Sequence, residues 1–300
     1  MGKTGLTFCQ NNLYFLIVNY YSTAFIRKLL ASLDFSERSQ FHVAIVNNSP
    51  EDFAVKDLAT EYSNIQLIFS EENLGFGRGC NLGLQTIYQQ NSNALIWLIN
   101  PDTTVEQNAI DFVIECFHKH PDLAILGTQI RDSQGNLWFS QGQFNRWTGS
   151  LKHTQPLAIA KLDNPGEVLP SRWVSGCSLI LNLAKFETCP LFDPHYFLYY
   201  EDNDFCERYY QQGYQISVTQ AILVNHVVSA TSQNNVSAKF RHATYSKLYF
   251  LQQHGTRLSL ILNIIYMGLK TIISLRQDRA IAIGRWQGLK QFFLTRQHGE

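Results

Sequence analysis

Three carboxylates crowd into four positions at Glu201, Asp202 and Asp204, between the aromatic run Phe197-Leu-Tyr-Tyr200 and Phe205. Acids this close repel one another, and the apolar flanks place the segment partly inside. One of the three can therefore rise toward neutrality and take a proton from a hydroxyl. The competing reading is a solvated acidic turn capping a helix that starts at Phe205. Asp102 ends the segment Leu98-Ile-Asn-Pro-Asp, directly after an apolar run. A hard carboxylate oxygen there suits a divalent cation such as Mg2+ or Mn2+, or it caps the next helix. His226 follows a strand expected to end at Val224, where an imidazole serves as a ligand or as a structural side chain. Asn73-Leu-Gly-Phe-Gly-Arg-Gly-Cys-Asn-Leu-Gly83 holds four glycines and two asparagines. Glycine lacks the Cβ that would keep a ligand away from the backbone. Arg78 in this loop can pair with phosphate oxygens or stay on the surface.

These residues need a scaffold, and the first 130 positions supply one. Apolar runs at Leu13–Tyr20, Phe41–Val46, Ile65–Phe69, Ala94–Ile99 and Leu123–Ile130 read as strands, the first nearly continuous, as a strand buried on both faces should be. Helical spacing falls between them. Phe25, Ile26, Leu29, Leu30 and Leu33 follow Ser22, a candidate N-cap. Further helices are expected over Phe53–Tyr62, Cys80–Gln90 and a segment carrying Val105, Ala109, Val113 and Phe117. Such alternation implies an α/β fold, with a mostly parallel sheet flanked by helices. Ligands gather at the carboxyl ends of strands in such sheets. Asn19-Tyr20, Asn47-Asn48, Asn73–Asn81 and Asn100–Asp102 all fall at such ends.

Residues 131–171 are turn-rich, with Trp138, Trp147, Pro156, Pro165 and Pro170, and read as a long insertion over the active edge. Strand pattern returns at Arg172–Leu181 and Gln215–Val224, with a short helix at Phe205–Gln212 between them. From Ser237 the chain reads as helical to its end. Ten of the 24 Lys and Arg residues fall in residues 239–300, where Asp278 and Glu300 are the only acids. A basic tail on an acidic body implies different partners for the two parts. Leu258–Leu275 is apolar but carries Asn263, Lys270 and Thr271. It fits an amphipathic segment on an anionic membrane surface better than a span. No leader sequence is read at Leu13–Val18, and six scattered cysteines without CxxC spacing read as reduced thiols of a cytoplasmic protein.

Taken in order, Asn73–Gly83, Asn100-Pro-Asp102, Phe192-Asp-Pro with Glu201-Asp-Asn-Asp204, and His226 resemble the family-2 glycosyltransferases. The resemblance covers roughly residues 13–230. It implies a GT-A catalytic domain over 1–236 and a basic amphipathic helical extension over 237–300. It also implies sugar transfer from a nucleoside diphosphate donor, with inversion at the anomeric carbon. Asp202 would be the base, and Glu201 and Asp204 its supports. Asp102 and His226 would hold Mg2+ or Mn2+ against the diphosphate. Asn19, Tyr20, Asn47, Asn73, Gly75, Phe76, Gly77, Arg78, Asn81 and Asn100 would bind the nucleotide sugar, and Trp173 and Gly176 the acceptor. Asn100 in place of the first acid of Asp-x-Asp resembles rhamnosyltransferase-like members. Asn47 stands where the family has a base-reading aspartate. The expected acceptor is a saccharide or lipid-linked saccharide at the inner face of the cell membrane, in surface polysaccharide assembly, and no nucleic acid partner is expected. The rivals are a nucleotidyltransferase with a similar nucleotide-binding fold and a non-catalytic saccharide-binding homologue.

Overall fold

A computed structural model describes residues 13–33, 41–62, 64–154, 166–227 and 235–297. Cys9, Pro156 and Pro165 lie outside the described residues.

The chain begins β1 (Leu13–Asn19), α1 (Thr23–Ala31), β2 (Phe41–Asn47), α2 (Val55–Glu61), β3 (Ile65–Phe69), α3 (Phe76–Gln90) and β4 (Leu95–Ile99). β1 pairs in parallel with β2 on one side and β4 on the other, and β2 with β3. The crossover direction therefore reverses between β1 and β4, and a crevice opens beyond their carboxyl ends. A short strand β5 (Thr103–Val105) precedes α4 (Ala109–Lys119) and β6 (Leu123–Asp132). β7 (Leu137–Phe139) folds back on β6, and β8 (Gln141–Asn145) and β9 (Ser150–Thr154) form a separate hairpin. After β10 (Val168–Pro170), β11 (Ser178–Asn182) inserts antiparallel to both neighbours between β4 and β6. Finally α5 (Glu201–Gln211) leads to β12 (Gln215–His226), parallel to β6.

The result is an α/β fold on a mixed, mostly parallel ten-stranded sheet flanked by helices. β4 and β11 are buried at every position, and Trp97 of β4 donates its Nε1–H to Ser178 Oγ of β11 (2.9 Å). Several sequence expectations shift here. The strand expected over Arg172–Leu181 forms only at Ser178–Asn182, because Ser175 closes a turn by accepting the Ser178 N–H at its carbonyl and the Cys177 N–H at its Oγ. Val105 pairs in β5 rather than joining a helix. Asp102 therefore caps nothing, and α4 starts after Asn108, which takes a left-handed φ of 63°. Ser22 precedes α1 without capping it; its Oγ donates to Asn19 instead.

Three helices close the chain: α6 (Val236–His254), α7 (Arg257–Gln277) and α8 (Arg279–Gln297). Their inner faces form a second apolar cluster with Tyr196, Phe144 and Leu151. Buried Asp204 of α5 accepts from Arg208 Nε (2.7 Å) and lies 2.7 Å from His254 Nε2 of α6, which ties this cluster to α5. Among the described residues the five cysteines are unpaired.

Candidate functional site

A cavity of about 370 Å³ opens at the carboxyl ends of β1, β2 and β4. Its walls come from Tyr20, Asn48, Asn73, Gly75, Phe76, Asn100-Pro-Asp102, Trp138, Phe197–Tyr199 and His226. Pairing brings the distant ones together. Antiparallel β5 and β12 place Thr103 opposite His226, and the Val227 N–H donates to the Asp102 carbonyl (2.9 Å). Asp102 and His226, 5 % and 6 % exposed, consequently face each other with Oδ1 and Nε2 3.2 Å apart. The ring of Trp138 stands edge-on to His226 at 4.7 Å, and His226 Nδ1 is buried without a hydrogen-bond partner. His226 is the last residue of β12 rather than a residue beyond it. Among the described residues no cluster of three His, Cys, Asp or Glu side chains occurs, so this carboxylate and imidazole are the pair available to a metal here.

The glycine-rich segment is mostly helix. Gly75 alone holds the loop, at φ +79°, where a Cβ would lie 2.2 Å from the Phe197 carbonyl oxygen. Its neighbour Phe76 donates its N–H to that same oxygen (3.1 Å). Gly77, Gly79 and Gly83 lie inside α3 and let it settle on Phe192, Val18 and Leu16. Their absent side chains serve helix packing rather than approach to a ligand. The Asn48 side chain holds the loop by accepting the Leu74 N–H (2.8 Å) and donating to Asn73 Oδ1 and the Gly75 carbonyl (both 3.1 Å).

Other expected ligand residues are occupied elsewhere. Asn19 donates to Asn47 Oδ1 and to Asp52 Oδ2 (both 3.0 Å), and Asn47 donates to the Asp52 carbonyl (3.2 Å). This buried knot joins the turns after β1 and β2, behind the cavity wall. Asn81 clamps the Phe192 backbone, donating to its carbonyl and accepting its N–H (both 2.8 Å). Arg78 faces solvent beside Glu72 (3.7 Å). Trp173 packs on Phe139 and donates its Nε1–H to the Gln143 carbonyl (3.1 Å), away from the cavity.

Asp202 adjoins the cavity at its Phe76 wall. A Cβ on Gly176 would sit 3.2 Å from the Phe76 ring and 3.3 Å from the Asp202 Cβ. The acidic segment opens α5 instead of forming a turn, so helical rotation sends its acids in different directions. Tyr199 and Tyr200, at φ of 70° and 67°, make the sharp entry. Bulky residues seldom take such angles, and this strain lies at the cavity wall. Asp202 Oδ2 accepts the Gly176 N–H (2.9 Å) and Oδ1 the Asn203 N–H (2.8 Å). Burial raises its pKa, and those backbone donors oppose the rise. Glu201 turns inward under Gly77. Burial, reinforced by the charge of Asp202, pushes its carboxyl up to about 8. One proton thus rests on Glu201, beside a second carboxyl that burial also raises. Asp204 points the other way, to Arg208 and His254, and does not support the cavity. Asn48, Trp138 and Phe197–Tyr199 are wall residues that the sequence signalled only as a strand end, part of an insertion and an apolar flank.

Residues 14–199 match the profile described as glycosyl transferase family 2. The chain is 24 % identical over 257 residues to the N-acetylglucosaminyl-diphospho-decaprenol L-rhamnosyltransferase of Mycobacterium tuberculosis, covering 79 % of this chain and 83 % of that protein. Among solved structures it resembles the mannosyltransferase PcManGT of Pyrobaculum calidifontis in complex with GDP-Man and Mn2+. There the TM-score is 0.54 at 10 % identity, over 95 % of this chain and 87 % of that one. It also resembles GalNAc-T7 with UDP, GalNAc and Mn2+, with a TM-score of 0.60 at 12 % identity, over 80 % of this chain and 47 % of that one.

Proposed function

The chain belongs to glycosyl transferase family 2, and from that membership we propose that it transfers a hexose or deoxyhexose, rhamnose foremost, with inversion. The donor is a nucleoside diphosphate sugar. The acceptor is a lipid-linked saccharide at the cytoplasmic face of the membrane, in cell-surface polysaccharide assembly. Catalysis is assigned to residues up to 236, and membrane contact to the basic helices beyond. The observation that carries this reading is the convergence of Asp102, His226, Asn48 and the Asn73–Gly75 loop on one cavity, with Asp202 on the far side of Phe76.

Asp102 and His226 fit a divalent cation. Ligand bonds of about 2.1 Å at right angles place neighbouring donor atoms about 3 Å apart, close to the 3.2 Å seen. Mg2+ or Mn2+ held there would neutralise the departing diphosphate as a Lewis acid. The protein would supply one carboxylate and one imidazole, and any further ligand would have to come from water or donor oxygens. The Tyr20 ring, Asn48 and the Asn73–Gly75 loop line the space for the nucleotide, and Trp138 and Tyr199 wall it from water. Asp202 takes the proton of the acceptor hydroxyl as that oxygen attacks the anomeric carbon. Its backbone donors favour the charged form against burial, and the neighbouring Glu201 carboxyl is pushed up to about 8.

The test offers a panel of nucleoside diphosphate sugars, with a divalent cation, to wild type and Asp202→Asn. The variant should lose transfer by about 100-fold or more with donor KM little changed. Equal rates would remove Asp202 from the reaction, and no turnover of any donor by wild type would remove the assignment.

A further inference from the structure

α7 packs Leu260, Ile264 and Met267 on the second apolar cluster, but the rest of its inner face is polar and its outer face is apolar. Its inward-facing positions include Ser259, Asn263, Thr271 and Ser274, all buried, whereas Ile261, Leu262, Ile265, Leu269, Ile272 and Ile273 each expose more than half of their surface. The buried polar side chains are satisfied within the fold. Asn263 donates to the Thr148 carbonyl of the β8–β9 hairpin (3.1 Å), and Thr271 to the Met267 carbonyl (2.8 Å). Arg285 of α8 donates to the Lys270 carbonyl (3.0 Å) and bonds Ser274. A water-soluble helix normally turns these two faces the other way.

We propose that α7 lies in the plane of an anionic membrane and sinks its outer face into the lipid, with the tip of the β8–β9 hairpin and α8 beside it. This rests on the reading of a lipid-linked acceptor and specifies the surface that meets the bilayer. Three features favour a lipid surface. The first is charge: Arg257, Arg276 and Arg279 stand exposed at the ends of α7. Lys247 and Lys270 flank the Tyr266 ring at 5.5 and 5.6 Å, and Asp278 is the one acid among the described residues of α6 to α8 and their joints. A second copy would bring the same cations together, whereas anionic headgroups neutralise them. The second is aromatic: Trp147 at the hairpin tip and Trp286 of α8 are 68 % and 62 % exposed, and tryptophan favours the headgroup level. The third is attachment. α7 is long and apolar enough to cross a membrane, yet its inner face is bonded to the hairpin and α8. Lying flat, it presents about 31 Å of apolar edge.

The experiment sediments the full chain with phosphatidylcholine vesicles, with and without phosphatidylglycerol, and repeats this for Ile265→Asp/Ile272→Asp. Wild type should bind the phosphatidylglycerol vesicles, bind less as salt rises, and show blue-shifted emission that Trp147→Phe and Trp286→Phe each diminish. The double variant should lose partitioning by about 100-fold while keeping its thermal midpoint and its transfer to acceptor dissolved in detergent. Unchanged vesicle binding by a double variant with that midpoint overturns the proposal. So does absence of wild-type binding to phosphatidylglycerol vesicles, or a dimer in light scattering that the double variant dissolves. Wild-type transfer in detergent without vesicle binding sinks the docking surface and leaves the reaction standing. Vesicle binding without transfer to any lipid-linked acceptor does the reverse.

Discussion

Replacing Glu201 by Gln separates the roles of the two adjacent acids at the start of α5. Glu201 is 6 % exposed and one of its carboxylate oxygens has no partner, as suits a neutral acid held near Asp202. Its carboxyl moves from 4.5 up to about 8, through burial first and the Asp202 charge second. Below about pH 4.5 the folded and unfolded chains both hold this proton. Between there and about pH 8 the folded chain keeps a proton that the unfolded chain has released, so rising pH favours unfolding. The full displacement amounts to about 5 kcal/mol. Glu201→Gln removes this dependence. Urea titrations at pH 5, 7 and 9 should show the stability of the variant, relative to wild type, increasing by about 4 kcal/mol from the lowest pH to the highest. A difference that does not change with pH would mean that Glu201 ionises normally, and the proton assignment would fall. Kinetics give a second reading. With the proton on Glu201, the Gln substitution changes no charge beside Asp202, so the acidic limb of the rate profile should stay in place in the variant. A limb displaced downward would show that Glu201 carries the negative charge and Asp202 the proton.

The metal pair and the interhelical tie make separate predictions. His226→Ala should raise the Mn2+ concentration needed for half-maximal thermal stabilisation by about 10- to 100-fold, and an unchanged Mn2+ midpoint would exclude His226 as a ligand. Asp204→Asn leaves Arg208 and His254 facing a neutral amide in a buried place, and should cost about 3–5 kcal/mol in urea unfolding. A loss under 1 kcal/mol would show that the Asp204–His254 tie contributes little to holding α6 against α5.

The strand ends were legible because β1, β2 and β4 are apolar along nearly their whole length, and polar residues after such runs have few places to go. Asp102 was readable for that reason. His226 met it through the β5–β12 pairing, which no local pattern announces. The amides were not readable. Asn19, Asn47 and Asn81 satisfy buried backbone and side-chain groups as readily as they would bind a ligand, and sequence does not say which partner is nearer. The glycines of α3 misled for a related reason, since a missing Cβ lets a ligand or another element approach equally well. The acids at 201, 202 and 204 read as one functional turn because their spacing looked local. A helix start spreads them instead to the interior, to the cavity edge and to α6. The family match favours neither the nucleotidyltransferase nor the scaffold reading.

The late arrival of β11 has a consequence for synthesis. Ser178–Asn182 fills the lane between two strands that precede it by at least 46 residues. Until that stretch leaves the ribosome, β4 and β6 each present an unpaired rim, open to pairing with another nascent chain. The middle lane is therefore filled late, and only β12 comes after it to finish the sheet on the far side of β6. A product that stops short of residue 178 would be an aggregation hazard rather than a smaller working enzyme.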